Sequence, residues 1–180
     1  MTTPDSDEAP GRLDLLRLFV NTLNLPDGPD ELATPEQASA WCLAHGLSPV
    51  SNQEDCDRLR AFRETIRDVL FSNNGEFDAV RAWSELETFA PRAALVVAVE
   101  NSVPVLRAAG TGVDRVVAEL LAVVYDSVAH GTFGRLRACR KSSCRYAYYD
   151  RSKNASRAWC SMATCGNQEK AQRRRQRERT

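Results

Sequence analysis

The sequence has few features of an enzyme or of a membrane protein. It contains two histidines and no nucleotide-binding loop, paired-carboxylate helix, nucleophile elbow or Ser-His-Asp pattern, so we expect no enzymatic activity. No apolar run approaches the ~18 residues that span a bilayer. The longest runs, Ala93–Val99 and Leu120–Tyr125, are short enough to be core elements. The acidic, polar start of the chain lacks the basic and apolar regions of a secretory signal, which predicts a cytoplasmic location.

Lysine is absent from the first 134 residues, and this absence accompanies a strong separation of charge. Residues 1–134 contain 10 arginines against 21 acidic residues, a net charge of −11, whereas residues 135–180 contain 14 basic against three acidic residues, a net charge of +11. The overall net charge of zero therefore hides an acidic body joined to a basic end. Such an end is typical of a protein that binds a polyanion, but it could also solubilise the chain or fold back on the acidic body.

Apolar periodicity and capping residues predict a helical N-terminal domain over residues 11–131, after a disordered tail over residues 1–10. Helices are expected over 12–24, from a capping-box start at Thr34 to His45, from 51–54 to a stop at 73–75, over 77–89 and over 113–129. The β-branched run 94–99 and the segment 103–106 predict one β-hairpin, with a turn over 100–102. Pro104 restricts the second strand to an edge position. Residues 131–138 are expected to form a short connection.

Four of the six cysteines form two close pairs, Cys139 with Cys144 and Cys160 with Cys165, and fifteen residues separate the pairs. Zn(II) prefers four tetrahedral thiolate ligands, and a segment of about forty residues needs such an ion because it cannot bury enough apolar surface to fold alone. In a reducing compartment, clustered cysteines favour a metal over disulfides. The protein would fill all four positions, so we expect one structural zinc ion per chain.

The sequence around these cysteines resembles the CGNR-type zinc finger over about residues 135–179. The resemblance is carried by Tyr149-Asp150-x-Ser152-x-Asn154-x-Ser156-Arg157-x-Trp159-Cys160-Ser161-Met162 and by Cys165-Gly166-Asn167. Gln168 stands where the family has arginine, which could remove one basic contact to a partner but leaves the ligands intact. The preceding part is similar to the ABATE domain, a helical domain described as a stress-induced transcription regulator. That similarity is carried by Phe19-Val20-Asn21-Thr22 and by Trp41-x3-His45-Gly46-Leu47.

The expected fold is mainly α with a small β-hairpin: a helical N-terminal domain, then a four-cysteine zinc finger over 135–180 that ends in a basic helix. The resemblance and the charge together predict a zinc-dependent DNA-binding protein, a bacterial-type transcription regulator. The residues expected to contact nucleic acid are Arg151, Lys153, Arg157, Lys170, Arg173, Arg174, Arg175 and Arg177. The helical domain would sense a signal, through an unidentified ligand, or form a homodimer, because one short finger reads few bases. RNA binding and a protein-interaction role for the basic end are the alternatives.

Overall fold

A computed structural model describes residues 7–25 and 28–178, apart from the side chain of Arg173. Helices α1 (Leu13–Val20), α2 (Pro35–Ala44), α3 (Gln53–Ser72), α4 (Ala79–Glu87) and α5 (Gly112–Ala129), with strands β1 (Leu95–Glu100) and β2 (Val103–Ala108), form what we call the body, residues 7–131. The cysteine segment, residues 135–178, contains β3 (Leu136–Ala138), β4 (Ala147–Tyr149) and α6 (Asn167–Arg177). The fold is mainly helical, as predicted. Within the described ranges, no helix is long and apolar enough to cross a membrane.

Helix α3 is the centre of the body and contacts α1, α2, α4, α5 and β3. It begins where the sequence predicts, and its cap is Asn52, whose Oδ1 accepts a hydrogen bond from the N–H of Asp55 at 2.9 Å. The ring of Phe62 on α3 lies 5.9 Å from that of Phe19 on α1. Both rings are fully buried, as is Val116 on α5. Three helices thus close one apolar core around α3.

Helix α1 is shorter than the predicted 12–24 because side chains of the body take over its C-terminal carbonyls. Arg67 of α3 donates to the carbonyl oxygens of Val20 and Leu23 at 2.7 and 3.1 Å. Thr22 Oγ1 donates to the carbonyl oxygen of Phe19 at 2.8 Å. The last carbonyls of α1 are therefore satisfied without another helical turn, and the chain can leave the helix at Val20.

The predicted hairpin is present, with the first strand shifted by one residue, a longer second strand and a shorter turn than the sequence indicates. β1 and β2 are antiparallel and in register from Leu95 opposite Ala108 to Glu100 opposite Val103. Two residues make the turn, Asn101 and Ser102, at φ of 48° and 65°. Positive φ at both central residues is the geometry of a type I′ turn, whose twist matches that of the flanking strands.

A second antiparallel pair, β3 with β4, lies partly within the predicted connection over 131–138. Leu136, Arg137 and Ala138 pair with Tyr149, Tyr148 and Ala147. Each strand has three residues, which is too short for an alternation of apolar and polar residues to be recognised in the sequence. This pair joins the cysteine segment to the body.

Residues 7–10, which fall within the predicted disordered tail over 1–10, have defined contacts in the structure. Residues 1–6 lie outside the described part, but residues 7–10 pack against the rest of the protein. The N–H of Tyr149 donates to the carbonyl oxygen of Asp7 at 3.2 Å. Ala9 is buried, and its N–H donates to Asp14 Oδ1 at 2.8 Å. These contacts with distant residues give no signal in the composition of the segment.

Candidate metal centre and basic surface

The four predicted ligand cysteines come together in the structure. Their sulfur atoms all lie within 4.8 Å of one another. Cys144 Sγ lies 3.6 Å from Cys160 Sγ, which in turn lies 3.7 Å from Cys165 Sγ. Four sulfurs at about 2.3 Å from a tetrahedral zinc ion are about 3.8 Å apart. The cluster, completed by the fully buried Cys139, therefore fits one structural zinc ion with all four positions filled by the protein.

Four thiols this close cannot all ionise without a cation. Hydrogen bonding with Cys139 and Cys160 lowers the pKa of Cys144 to about 2, and hydrogen bonding with Cys144 raises the pKa of Cys139 to about 12. Hydrogen bonding with Cys139 and Cys144, together with burial, raises the pKa of Cys160. A thiolate here is thus held by protonated neighbours. A dication that displaces those protons supplies the positive charge that four thiolates need.

Local backbone structure presents each cysteine pair. Cys139 follows β3 directly, and its N–H extends the ladder by donating to the carbonyl oxygen of Tyr146 at 3.0 Å. Cys144 closes a turn, because its N–H donates to the carbonyl oxygen of Lys141 at 2.9 Å. Cys165 lies in a single π-helical turn, Met162–Gly166, which leads straight into α6. The ion would therefore anchor the start of α6.

Strand β4 separates the core of the body from the metal centre. Ala147 and Tyr149 are buried in the core of the body, whereas Tyr148 between them is fully buried against Cys139, Cys165 and the partly buried Trp159. This alternation is that of a strand with two covered faces. Burial raises the pKa of Tyr148, so its hydroxyl stays protonated. Tyr148, Tyr149 and Trp159 are therefore packing residues.

A polar loop between the two cysteine pairs is organised by Asp150, which is fully buried. Its Oδ1 accepts from the N–H of Ser152, and its Oδ2 from the N–H of Arg157, both at 2.9 Å. Ser152 Oγ accepts from the N–H of Ser156 at 3.2 Å. Burial opposes ionisation of Asp150, but these hydrogen bonds and the charge of Arg137 at 3.4 Å outweigh it and lower its pKa. The loop therefore stays closed around an ionised carboxylate.

Two asparagines of the body hold the cysteine segment by its backbone. Asn21 makes two hydrogen bonds to the backbone of one residue of β4. Its Nδ2 donates to the carbonyl oxygen of Ala147 at 2.9 Å, and its Oδ1 accepts from the N–H of Ala147 at 2.8 Å. Asn74 Nδ2 donates to the carbonyl oxygens of Ala138 at 2.9 Å and Ala158 at 3.0 Å. Ala138 immediately precedes the first ligand, Cys139, and Ala158 lies two residues before the third ligand, Cys160. The body therefore supports both halves of the metal centre.

The sequence does not predict this role. The run Asn73-Asn74-Gly75 predicts only the end of α3, and Asn21 enters only through the family resemblance. The one local signal is the asparagine pair itself, because a helix stop commonly needs only the glycine. Asn73 also contacts the cysteine segment, since its Nδ2 lies 3.2 and 2.9 Å from the carbonyl oxygens of Phe133 and Leu136.

Replacing Asn74 by alanine is expected to weaken zinc binding by about tenfold, the lower end of what loss of a supporting residue costs a metal site. The carbonyls of Ala138 and Ala158 would lose their donor, and the backbone before the ligands would be less constrained. Competition with a chromophoric chelator measures the affinity. Asn73→Ala is the matched control, since it removes hydrogen bonds away from the ligands and should leave zinc affinity unchanged. Equal affinities for the two variants would contradict the assignment.

Two groups of basic residues in the cysteine segment differ in their partners, and the first group pairs with carboxylates of the body. The pairs are Arg140–Glu76 at 2.8 Å, Arg145–Asp68, and Arg157–Asp7 at 2.6 Å. Arg157 also donates from Nε to the carbonyl oxygen of Trp159 at 2.9 Å, and from Nη2 to that of Cys160. All three guanidinium nitrogens of Arg157 are thus engaged within the protein. This residue, expected among the nucleic-acid contacts, ties the cysteine segment to the body.

The second group contains the other expected contact residues, and its described side chains are exposed. Arg151 donates to the carbonyl oxygen of Glu8 at 2.9 Å, and Arg174, 82% exposed, pairs within α6 with Glu178 at 2.8 Å. In the part of the chain that the structure describes, four exposed side chains of this group have no hydrogen-bond or ion-pair partner: Lys153, Lys170, Arg175 and Arg177. The side chain of Arg173 lies outside the described residues.

Comparison with known families divides the chain at the same place as the structure does. The ABATE family, described as "Putative stress-induced transcription regulator", matches residues 13–131, more than half of the chain. The CGNR zinc finger family matches residues 135–178. These ranges correspond to the body and to the cysteine segment. A comparison with curated proteins finds no match.

Proposed function

Because the chain belongs to the ABATE family and carries a CGNR zinc finger, we propose that it is a zinc-dependent transcription regulator that binds DNA through α6. One observation carries this proposal: α6 begins two residues after the ligand Cys165, and its described basic side chains are all exposed. A structural zinc ion holds the start of the helix in place. The protein thereby presents a fixed row of positive charge to a polyanion.

The charge of α6 suits contacts with phosphates. Between Asn167 and Arg177 the helix has five basic residues and one acidic residue, Glu169. A helix this polar has no apolar stripe to pack on the body. Arginine and lysine side chains that track a duplex release its counterions, which is the main source of non-specific affinity for DNA. The exposed Arg151 and Lys153 of the polar loop add two more positive charges to the surface of the cysteine segment.

The distribution of ion pairs favours this proposal over a basic end that only neutralises the acidic body. The body carboxylates Asp7, Asp68 and Glu76 are paired with arginines that precede α6. Among the described residues, the one ion pair of an α6 side chain is internal, Arg174 with Glu178. The described ion pairs between the cysteine segment and the body are therefore made without α6, whose charges stay available to another molecule.

The salt dependence of binding tests the proposal. For a random-sequence duplex and zinc-loaded protein, we expect log affinity to fall with log salt at a slope of about −4 to −5, since about five exposed basic side chains would contact phosphates. The double variant Arg175→Gln/Arg177→Gln should reduce the slope by about 2, because two phosphate contacts are lost. Fluorescence anisotropy at salt concentrations between roughly 50 and 300 mM measures the slope for the unmodified protein and for the double variant.

Arg81→Gln is the control, because Arg81 is an exposed arginine on α4 of the body with a side chain 68% exposed. It should bind DNA as the unmodified protein does. A slope near zero, or the same loss for Arg81→Gln as for the double variant, would overturn the proposal. Tighter binding to RNA of the same sequence than to DNA would replace DNA by RNA as the partner.

Within the proposal, the helical body supplies the regulatory input.

A further inference from the structure

The β1–β2 hairpin exposes valines on both of its faces. Val97 and Val99, each 73% exposed, lie on one face, and Val96 at 49% and Val103 at 56% lie on the other. Isolated exposed apolar side chains are common, but four on one hairpin are not explained by folding of a single copy. The hairpin therefore has the character of an interaction surface.

The outer edge of β1 is open to pairing. Glu100 and Val103 flank the two-residue turn and form a hydrogen-bonded pair, and such pairs alternate along the ladder. The N–H and C=O groups of Leu95, Val97 and Val99 consequently point away from β2. Soluble proteins protect such edges with lysine, proline or a bulge. β1 has none of these, whereas β2 carries Pro104 at the corresponding position.

Apolar surface continues from the hairpin onto α5. Tyr125 is 61% exposed and Val128 49% exposed, and a groove of about 490 Å³ between hairpin and helix is lined by Val97, Pro104 and Tyr125 among others. These two residues and the four valines expose on the order of 600 Å² in total, spread over both faces of the hairpin and α5. Val97 lines the groove, so two copies that pair at this edge would cover apolar side chains as well as backbone groups.

We propose that this surface binds a second copy of the chain, with β1 of one copy antiparallel to β1 of the other about a two-fold axis at Val97. In this register Val97 faces its own counterpart and Leu95 faces Val99, so that every outward N–H and C=O group of the three residues is paired. The two hairpins form one four-stranded sheet. The same patch meets itself, as a two-fold dimer requires.

The charge of the chain is compatible with this occupant. Glu100 and Arg107 pair within the hairpin, so the open edge carries no unbalanced charge. The rim of the groove carries both signs, Arg12 and Asp126, which a two-fold axis can bring opposite each other. This neutral, apolar edge does not suit nucleic acid, which α6 is proposed to bind.

Sedimentation velocity of the full-length, zinc-loaded protein tests the proposal between about 1 and 100 μM, a range in which weak, small interfaces associate. The unmodified protein should convert from monomer to dimer over this range. Val97→Lys should raise the dimer dissociation constant at least about 100-fold, because two lysines would lie directly opposite on the axis. Val80→Lys is the matched control: Val80 is 77% exposed on α4, away from the hairpin, and this variant should dimerise normally.

The register has its own test. In Val97→Cys, the two cysteines would lie directly opposite each other with Cα atoms about 5.5 Å apart, within reach of a short bismaleimide crosslinker. The variant should form a covalent dimer with this crosslinker, and Val80→Cys should not. A monomer at 100 μM or a dimer that Val97→Lys leaves intact would overturn the proposal. So would the absence of the covalent dimer. Circular dichroism confirms that each variant is folded, and none of these outcomes affects the proposed DNA binding.

Discussion

Replacing Cys160 by serine is expected to reduce bound zinc from one ion per chain to nearly none and to unfold the metal centre with α6. Cys160 Sγ lies between Cys144 and Cys165 and contacts both. The three remaining thiols leave the ion one position short of a closed tetrahedral site. Structural zinc in comparable fingers contributes about 10–16 kcal/mol, far more than the small apolar cluster around Tyr148 and Trp159 can replace.

Elemental analysis measures the zinc content, and hydrogen exchange measures where protection is lost. We expect fast exchange over α6 and the turn Met162–Gly166, but protected amides in α3, because the core of the body has its own apolar contacts. Cys42→Ala is the control, since Cys42 is a fully buried thiol on α2 outside the cluster. A Cys160→Ser variant that keeps one zinc ion, or a protected α6, would show that the ion does not hold this helix.

Replacing Arg67 by methionine is expected to destabilise the protein by about 3–5 kcal/mol, because three carbonyl oxygens in the interior lose their donor at about 1–3 kcal/mol each. Arg67 is fully buried and joins three parts of the chain. It donates to the carbonyl oxygens of Val20 at the end of α1 and of Leu23 beyond it, and to that of Arg145 in the cysteine segment at 3.0 Å. It also donates to Glu64 at 2.9 Å. Methionine fills a similar volume but leaves these buried carbonyl oxygens without donors.

Urea unfolding at neutral pH measures the difference in the free energy of unfolding. The free energy of unfolding of Arg67→Lys should fall between those of the unmodified protein and Arg67→Met. A lysine keeps the charge but cannot direct donors to three carbonyls at once. Arg60→Met on the same helix is the control: Arg60 pairs with Asp57 at the surface and should matter by less than about 1 kcal/mol. Equal losses at positions 60 and 67 would exclude a special role for Arg67.

The metal site and the helix starts follow from local sequence. Zinc ligation requires only two close cysteine pairs and a loop that lets them meet, and both are visible as spacing. The start of α2 is equally local: Thr34 Oγ1 accepts from the N–H of Gln37 at 3.3 Å, and Pro35 takes the first helical position. In both cases the partners are few residues apart, so the pattern itself contains the interaction.

The attachment of the cysteine segment to the body depends on contacts that no local pattern contains. Asn21 binds Ala147, 126 residues away, and Asn74 binds Ala158, 84 residues away. The sequence also counts all basic residues alike. It cannot separate Arg145, which lies over the ring of Phe71 and pairs with Asp68, from the exposed Arg175. Only the fold decides which charges are used internally and which face solvent.

The absence of a flexible joint between the two parts has a consequence for how the protein would read DNA. Between Gly131 and β3 the chain makes one short 3₁₀ turn, Phe133–Arg135, whose phenylalanine is buried, and β4 belongs to both cores. The α6 helix therefore keeps one orientation relative to the hairpin. In a dimer paired through β1, the two α6 helices would therefore lie at a fixed distance from each other. Two half-sites would then be bound together only when their spacing along the duplex matches that separation.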